Sequence, residues 1–342
     1  MKACSAMRRG GFTLIEMLTV VAIFGLVVIY VGQTLTVNER AYHTVENTSE
    51  SQQNLRVFGE LVEDDMRHAG MMISRDAGVC GRDYTNAPDI LYVSDAAAID
   101  PQDQIAPYAG PIITSAQTNL TTGSPFATTA ITLTLSSLMV EPTPPSLPAY
   151  DTNNDGTADS DFRVNGGVIV FDSSNSGRGT ACGRITAVDI ATKTISVKGV
   201  AAMGAAGASP VLVAIPANEY YVNGTQLLWN GIVLAEGIED FQIGYVFDFD
   251  GDNRIDTAPD ELRSWATSGT GSTAYTSSER PARELRELQL GIVSRSRMPD
   301  PNFSGRPQAL LNRAAITTND HYRRRTFESR VLLRNLATRI DS

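Results

Sequence analysis

The stretch Arg8-Arg9-Gly10-Gly11-Phe12-Thr13-Leu14-Ile15-Glu16-Met17-Leu18-Thr19-Val20-Val21 leads into a run that stays mostly apolar as far as Val31. About twenty such residues, at 1.5 Å rise each, span a hydrocarbon core as a helix. Lys2, Arg8 and Arg9 precede the run, so the positive-inside bias keeps them cytoplasmic and places the chain beyond the run outside. An ordinary secretory signal has a shorter apolar run and a small-residue cleavage site at its far end. Here the run ends without such a site, and the candidate cut lies before it, between Gly11 and Phe12. Glu16 does not belong in such a segment: a carboxylate costs about 2.5–3.5 kcal/mol at mid-bilayer and less near an interface. A charge kept there needs a partner, and the obvious one is the α-amino group that cleavage before Phe12 would create on a neighbouring subunit.

Residues Arg8 to Glu16 resemble the class III signal of type IV prepilins and of type II secretion pseudopilins. The resemblance implies cleavage after Gly11 by a prepilin peptidase, N-methylation of Phe12, and pairing of Glu16 with a neighbour's N-terminus during assembly. Past the span, residues 38–73 contain no proline, and Val45, Leu55, Val57, Phe58, Leu61, Val62, Met66 and Met71 recur near helical spacing. One long helix, or two helices broken near 32–38, both put an amphipathic face against the rest of the chain.

From Cys80 the pattern changes to short apolar runs between Gly, Pro, Asn and Asp. Ile131, Leu133 and Leu135 alternate with Thr132 and Thr134, as a strand with one buried face requires. Similar runs are read at 90–93, 168–171, 194–197, 211–215, 219–222, 227–229, 232–234, 241–247, 285–295 and 327–333. Stretches 94–128 and 264–280 are read as loops. Many strands after one long helix imply an α+β pilin fold with an antiparallel headgroup. The expected division is leader 1–11, membrane or filament-core helix 12–33, amphipathic continuation 34–78 and β-rich headgroup 79–342. The order of motifs over residues 219–336, ending in Tyr322-Arg-Arg-Arg-Thr-Phe and Val331-Leu-Leu-Arg-Asn335, is similar to PilW-type minor pilins and more distantly to GspJ-type pseudopilins.

Two acidic loops resemble calcium loops. Asp248, Asp250, Asp252 and Asp256 occupy positions 1, 3, 5 and 9 of one, and Asp151, Asn153, Asp155 and Asp159 those of the other, the offsets at which such loops supply oxygens. Position 12 is Pro259 in the first and Phe162 in the second, so neither is a full EF-hand. A structural Ca²⁺ is one reading and an Asx-rich turn without metal is the other. Removal of residues 1–11 would leave two cysteines on the exported side, Cys80 and Cys182, which an oxidising compartment would pair.

Net charge of −10 argues against nucleic acid, since affinity for phosphate backbones comes mainly from Lys and Arg. The short basic run Arg323-Arg324-Arg325 reads as a strand edge or subunit contact. His43, His68 and His321 are scattered, and no nucleophile motif, phosphate loop or metal motif is present, so no enzyme is expected. The resemblance implies a minor type IV pilin that primes assembly and sits at or near the filament tip. Its partners would be major and minor pilins, the prepilin peptidase and the inner-membrane assembly platform. It would first be an inner-membrane protein with its headgroup outside the cytoplasm, then part of an extracellular pilus serving adhesion or twitching motility. The alternatives are a minor pseudopilin of a type II secretion system and, from another class, a calcium-dependent tip adhesin.

Overall fold

The computed structural model describes residues 13–84, 86–99, 110–114, 130–138, 160–199, 209–248, 273–274 and 282–337; within the first helix, side chains at 40, 41, 43, 44, 46–48, 50, 51 and 54 are excepted, as are those at 273–274. The chain divides after Glu50 into two units. The first carries most of α1 (Leu14–His68), a 55-residue helix. From Leu14 to Val37 every described large apolar side chain is exposed. Stacked β-branched pairs such as Val20-Val21 and Val27-Val28 are poor helix formers in water. In hydrocarbon they are helical because only a helix pairs every backbone polar group within one segment. Leu14–Glu39 is long and apolar enough to cross a membrane, with mean hydropathy 2.6 over its most apolar window.

In the second unit α1 becomes one-sided. Leu55, Gly59, Val62, Met66 and Ala69 are buried at alternating intervals of four and three, the seam of a helix lying on a flat partner. Val57 and Leu61, which belong to the same periodic set in the sequence, are 59% and 42% exposed. They lie off the seam by about a third to nearly half of a turn. Gly59 has a steric reason: a Cβ there would stand 2.7 Å from the Phe327 ring. The helix stops at His68, ten residues short of the expected boundary at 78. Gly70 takes φ +79° and donates its N–H to Ser94 O at 2.9 Å, a left-handed stop that glycine makes without penalty. Asn335 Nδ2 covers the carbonyls of Arg67 and His68, each at 3.3 Å. Residues 75–77 form only a 3₁₀ turn capped by Ser74.

The strands are β1 (Val79–Asp83), β2 (Ile90–Val93), β3 (Ile131–Thr134), β4 (Gly167–Asp172), β5 (Thr180–Asp189), β6 (Thr194–Lys198), β7 (Leu212–Asn223), β8 (Gln226–Trp229), β9 (Ile232–Glu236), β10 (Ile238–Phe247), β11 (Thr273–Ala274), β12 (Leu285–Arg295) and β13 (Arg324–Leu332). Short helices α2 (Ala96–Ile99) and α3 (Arg334–Ala337) complete the list; α2 lies in a stretch that reads as loop in the sequence. All strand pairing is antiparallel, as the α+β reading expects. Ten strands form one sheet and β10-β12-β13 another.

The two apolar runs 211–215 and 219–222 are one strand. β7 pairs with β4 through residues 212–217, with β2 through 218–221 and with β8 through 220–223. Pro216, which lacks a ladder donor, sits beside the exchange from β4 to β2, where that loss matters least. A disulfide joins Cys80 of β1 to Cys182 of β5, Cα atoms 6.1 Å apart and 102 residues apart in sequence. It thus ties the strands that lie one beyond β2 and β4, the partners of β7's two halves. Closing a loop of that length removes about 4–5 kcal/mol of unfolded-chain entropy on the loop-closure account. β5 itself is absent from the strands expected from sequence, because Gly183 and Arg184 interrupt its alternation.

The Gly59 contact yields a test. Gly59→Val should destabilise the headgroup by about 1–3 kcal/mol through overpacking. The double variant Gly59→Val/Phe327→Ala should recover part of that loss in chemical denaturation. Additive losses in the double-variant cycle would show that the helix and β13 do not meet at this point.

Candidate functional site

At its start, α1 holds the carboxylate of its apolar segment in a reciprocal cap. Thr13 donates its N–H and its Oγ1 hydroxyl to Glu16 Oε2 at 2.9 and 3.0 Å, and Glu16 N–H reaches Thr13 Oγ1 at 3.3 Å. The helix N-terminus leaves four amides without intrahelical partners, and a Thr-x-x-Glu pair covers two of them. The hydroxyls of Thr19, Thr34 and Thr36 donate to the carbonyls of Glu16, Tyr30 and Gln33 at 2.8–2.9 Å. Each polar side chain of the apolar segment named here therefore turns back on its own backbone. Gly11 and Phe12 lie outside the described residues.

In the headgroup, α1 is also pinned by polar contacts. Asp65 accepts hydrogen bonds from the Tyr220 hydroxyl and from Asn218 Nδ2, the latter at 3.3 Å. Asn230 Nδ2 donates to Asn218 Oδ1 at 2.8 Å, and its own Oδ1 accepts Glu219 N–H at 2.8 Å. Glu219 takes Arg184 Nε at 2.6 Å and the Tyr92 hydroxyl at 2.9 Å, and the Arg184 guanidinium lies 3.8 Å from the Tyr221 ring centroid. A second buried pair, Arg178 with Asp172 at 2.5 Å, holds the turn after β4; Asp172 also accepts Ser174 and Val211 amides at 2.9 and 3.1 Å. The long-range pairings are not legible in sequence, because helix docking and strand register bring the partners together. The weak signal available is polar residues interrupting apolar strands, as Glu219 does in Ala217-Asn-Glu-Tyr-Tyr-Val222.

Of the residues read as calcium ligands, Asp250, Asp252, Asp256, Asp151, Asn153, Asp155 and Asp159 lie outside the described residues. Asp248 is described, and its buried carboxylate faces Arg286 at 3.0 Å. Among the described residues no group of three or more His, Cys, Asp or Glu is placed to hold a metal. Arg324 is mostly buried between Glu239 and Asp320, and Arg323 pairs with Asp300 at 2.8 Å. Two of the three arginines in that basic run are thus neutralised structural cations. His68 lies 3.7 Å from Asp64, and His321 Nδ1 is 2.7 Å from Phe303 O. Neither stands beside a nucleophile. Trp229 packs half-buried against the core, while Trp265 lies outside the described residues.

Burial pushes the Asp65 carboxyl above its ordinary value of 3.8, against hydrogen bonds from Tyr220 and Asn218; Asp64 adds to the rise and His68 opposes it. A carboxyl raised in the folded state binds protons more tightly there than in the unfolded chain. Stability is therefore gained as pH falls through the raised value and lost as pH rises. Asp65→Asn keeps an acceptor for Tyr220 without the charge. It should raise the melting temperature by a few degrees at neutral pH, with the difference shrinking as pH falls through the raised carboxyl value. A variant less stable at neutral pH would mean that the charge itself is favourable.

Residues 6–31 match the family model for the prokaryotic N-terminal methylation motif, and residues 201–335 match that for type IV pilus-assembly protein W. Among curated proteins none matches the chain. One solved structure with local similarity is a type IV-like pilin from Thermus thermophilus, 15% identical, with 50% of this chain and 86% of that one covered. Its TM-score of 0.23 is too low to carry an argument. The two family matches fall on the two parts of the chain where motif and order point in the same direction. The chain thus carries the N-terminal methylation motif, as a class III signal does, and is similar over its C-terminal part to type IV pilus-assembly protein W.

Proposed function

We propose that this protein is a minor type IV pilin, cleaved between Gly11 and Phe12, methylated on Phe12, and built into a pilus at or near its tip, where it primes assembly. The observation that carries the reading is the helix Leu14–Glu39, long and apolar enough to cross a membrane and exposed along its apolar side chains among the described residues, with Glu16 as its one acidic residue before Glu39. Such a surface is stable in lipid or against other apolar helices, and a filament core supplies the second. Priming and tip position draw support from the PilW-type similarity of residues 201–335.

The cap at Glu16 suggests how one carboxylate serves both settings. In the lone subunit Thr13 holds it. In an assembly, the Phe12 amine of a neighbour would compete for the same oxygens with a full positive charge, and charge-assisted hydrogen bonds are about twice as strong as neutral ones. Glu16→Gln preserves the cap and removes the charge, whereas Thr13→Ala removes the cap hydroxyl and preserves the charge. Quantified in sheared filaments, Glu16→Gln should be processed normally yet fall by at least about tenfold, as expected when one partner of a buried ion pair is lost. Thr13→Ala should stay near wild type. Equal incorporation of both variants would remove the pairing role. Intact mass should show a chain beginning at methylated Phe12; one retaining Met1 and absent from filaments would overturn the proposal.

A structural calcium at the 248–256 loop is part of the same reading, in a narrower form. With Asp248 bonded to Arg286, a cation there would draw on Asp250, Asp252 and Asp256, with Asp260 or Glu261 as further donors. Titration of the purified protein with millimolar Ca²⁺ should release or absorb heat and raise the melting temperature, and Asp250→Ala should abolish both effects. A flat titration of the wild-type protein would dismiss the metal.

A further inference from the structure

β13 is an edge. Among the described residues it pairs with β12 alone, so every second residue turns its N–H and C=O away from the sheet. At its C-terminal end that edge borders a cleft of about 490 Å³ between β13 and the end of α1, lined by Arg67, His68, Met71, Arg330, Leu332 and Arg334. The lining contains three arginines and no carboxylate, in a chain of net charge −10. Its apolar part is also open: Leu332 is 53% exposed. Three of the lining cations have local counter-charges and remain partly exposed. Arg67 leans on Glu63 with its side chain 58% exposed, His68 lies 3.7 Å from Asp64, and Arg330 stands 4.0 Å from Glu287 with 65% of its side chain exposed.

We infer that this cleft binds an acidic, extended peptide segment of a partner subunit, added as a short strand to the Arg330–Leu332 end of β13. Open backbone donors and acceptors supply the pairing, as in other strand additions. Arg330 and Leu332 lie two residues apart and face the same side of β13, so an acidic and an apolar side chain two residues apart on the peptide would meet them, with Met71 beside the apolar one. Nucleic acid is the other polyanion such a cleft could attract, but it makes no use of a strand edge. The source of the peptide rests on the assembly role proposed above. The binding itself does not, so the test is done without filaments.

Full-length protein in detergent is titrated by fluorescence anisotropy against fluorescent peptides of repeating Glu-Thr-Val-Thr, which carry glutamate and valine on one strand face, and of repeating Lys-Thr-Val-Thr. The glutamate peptide should bind and the lysine peptide should not. Arg330→Glu should weaken binding by about tenfold, the effect expected for losing one charge-assisted contact, and Arg330→Lys should recover most of it. A glutamate peptide N-methylated at every second residue, made in both registers, should lose binding in one register only. Equal binding of both registers would reduce the cleft to an ion-exchange patch and overturn strand addition. Oligothymidylate binding more tightly than the glutamate peptide would reassign the cleft to nucleic acid. Absence of any glutamate-peptide binding overturns the inference and leaves the pilin reading untouched.

Discussion

The headgroup depends on how α1 is seated after Glu50. One face of the helix, Leu55 to Ala69, is buried, and it meets both sheets. Gly59 gives room to the Phe327 ring of β13, and Asp65 reaches Tyr220 and Asn218 of β7. Burying side chains the size of Leu55, Val62 and Met66 contributes about 1.5–3 kcal/mol each, while the hydrogen bonds fix rotation and register. A helix that slid by one residue would carry Gly59 away from Phe327 and leave Asp65 without its donors. The seam therefore specifies one arrangement as well as stabilising it.

β7 plays the matching part on the other side. By pairing with β4, β2 and β8 along successive stretches, it joins strands that would otherwise form separate small sheets, each marginal alone. The ties across it are of different kinds. Cys80–Cys182 constrains the unfolded chain. Glu219, linked to Arg184 and Tyr92, instead satisfies a charge that would be costly to bury unpaired. Short-range strand pairing alone would leave the angle between the halves of β7 underdetermined.

Legibility in the sequence tracks the range of the interaction. The N-terminal helix is readable because its signal is local: unbroken apolar residues, one carboxylate and flanking arginines. Alternating runs such as 131–134 and 194–198 are readable for the same reason. The end of α1 is ambiguous because the sequence offers both Gly70 and Gly78, and only the folded chain shows which takes a left-handed turn. Gly70 does so, while Gly78 keeps φ −67°. Val57 and Leu61 join the apolar set on loose spacing, yet at 100° per residue neither lies on the seam, and both stay exposed. β5 is hidden because Arg184 looks like an interruption until Glu219, 35 residues away, arrives to pair with it.

Charge shows the same division between local pattern and folded context. Composition makes the chain an acidic protein, but its carboxylates fall into two classes with opposite pH behaviour. Asp320 and Asp300 are held below the ordinary aspartate range, chiefly by hydrogen bonds from Arg324 and Arg323. Their contribution is present above the unfolded value and lost as pH falls through the folded one. Asp89 is pushed well above that range by burial and by the neighbouring Asp83 charge, despite amides donated by Tyr84 and Ile243. Asp65 is raised too, and both favour the folded state more as they protonate. Mild acidification therefore relieves the buried set before it reaches the arginine-paired set, since the raised groups take up protons first. Stability should peak on the acidic side of neutrality, set by carboxylates that no count of charges could have distinguished.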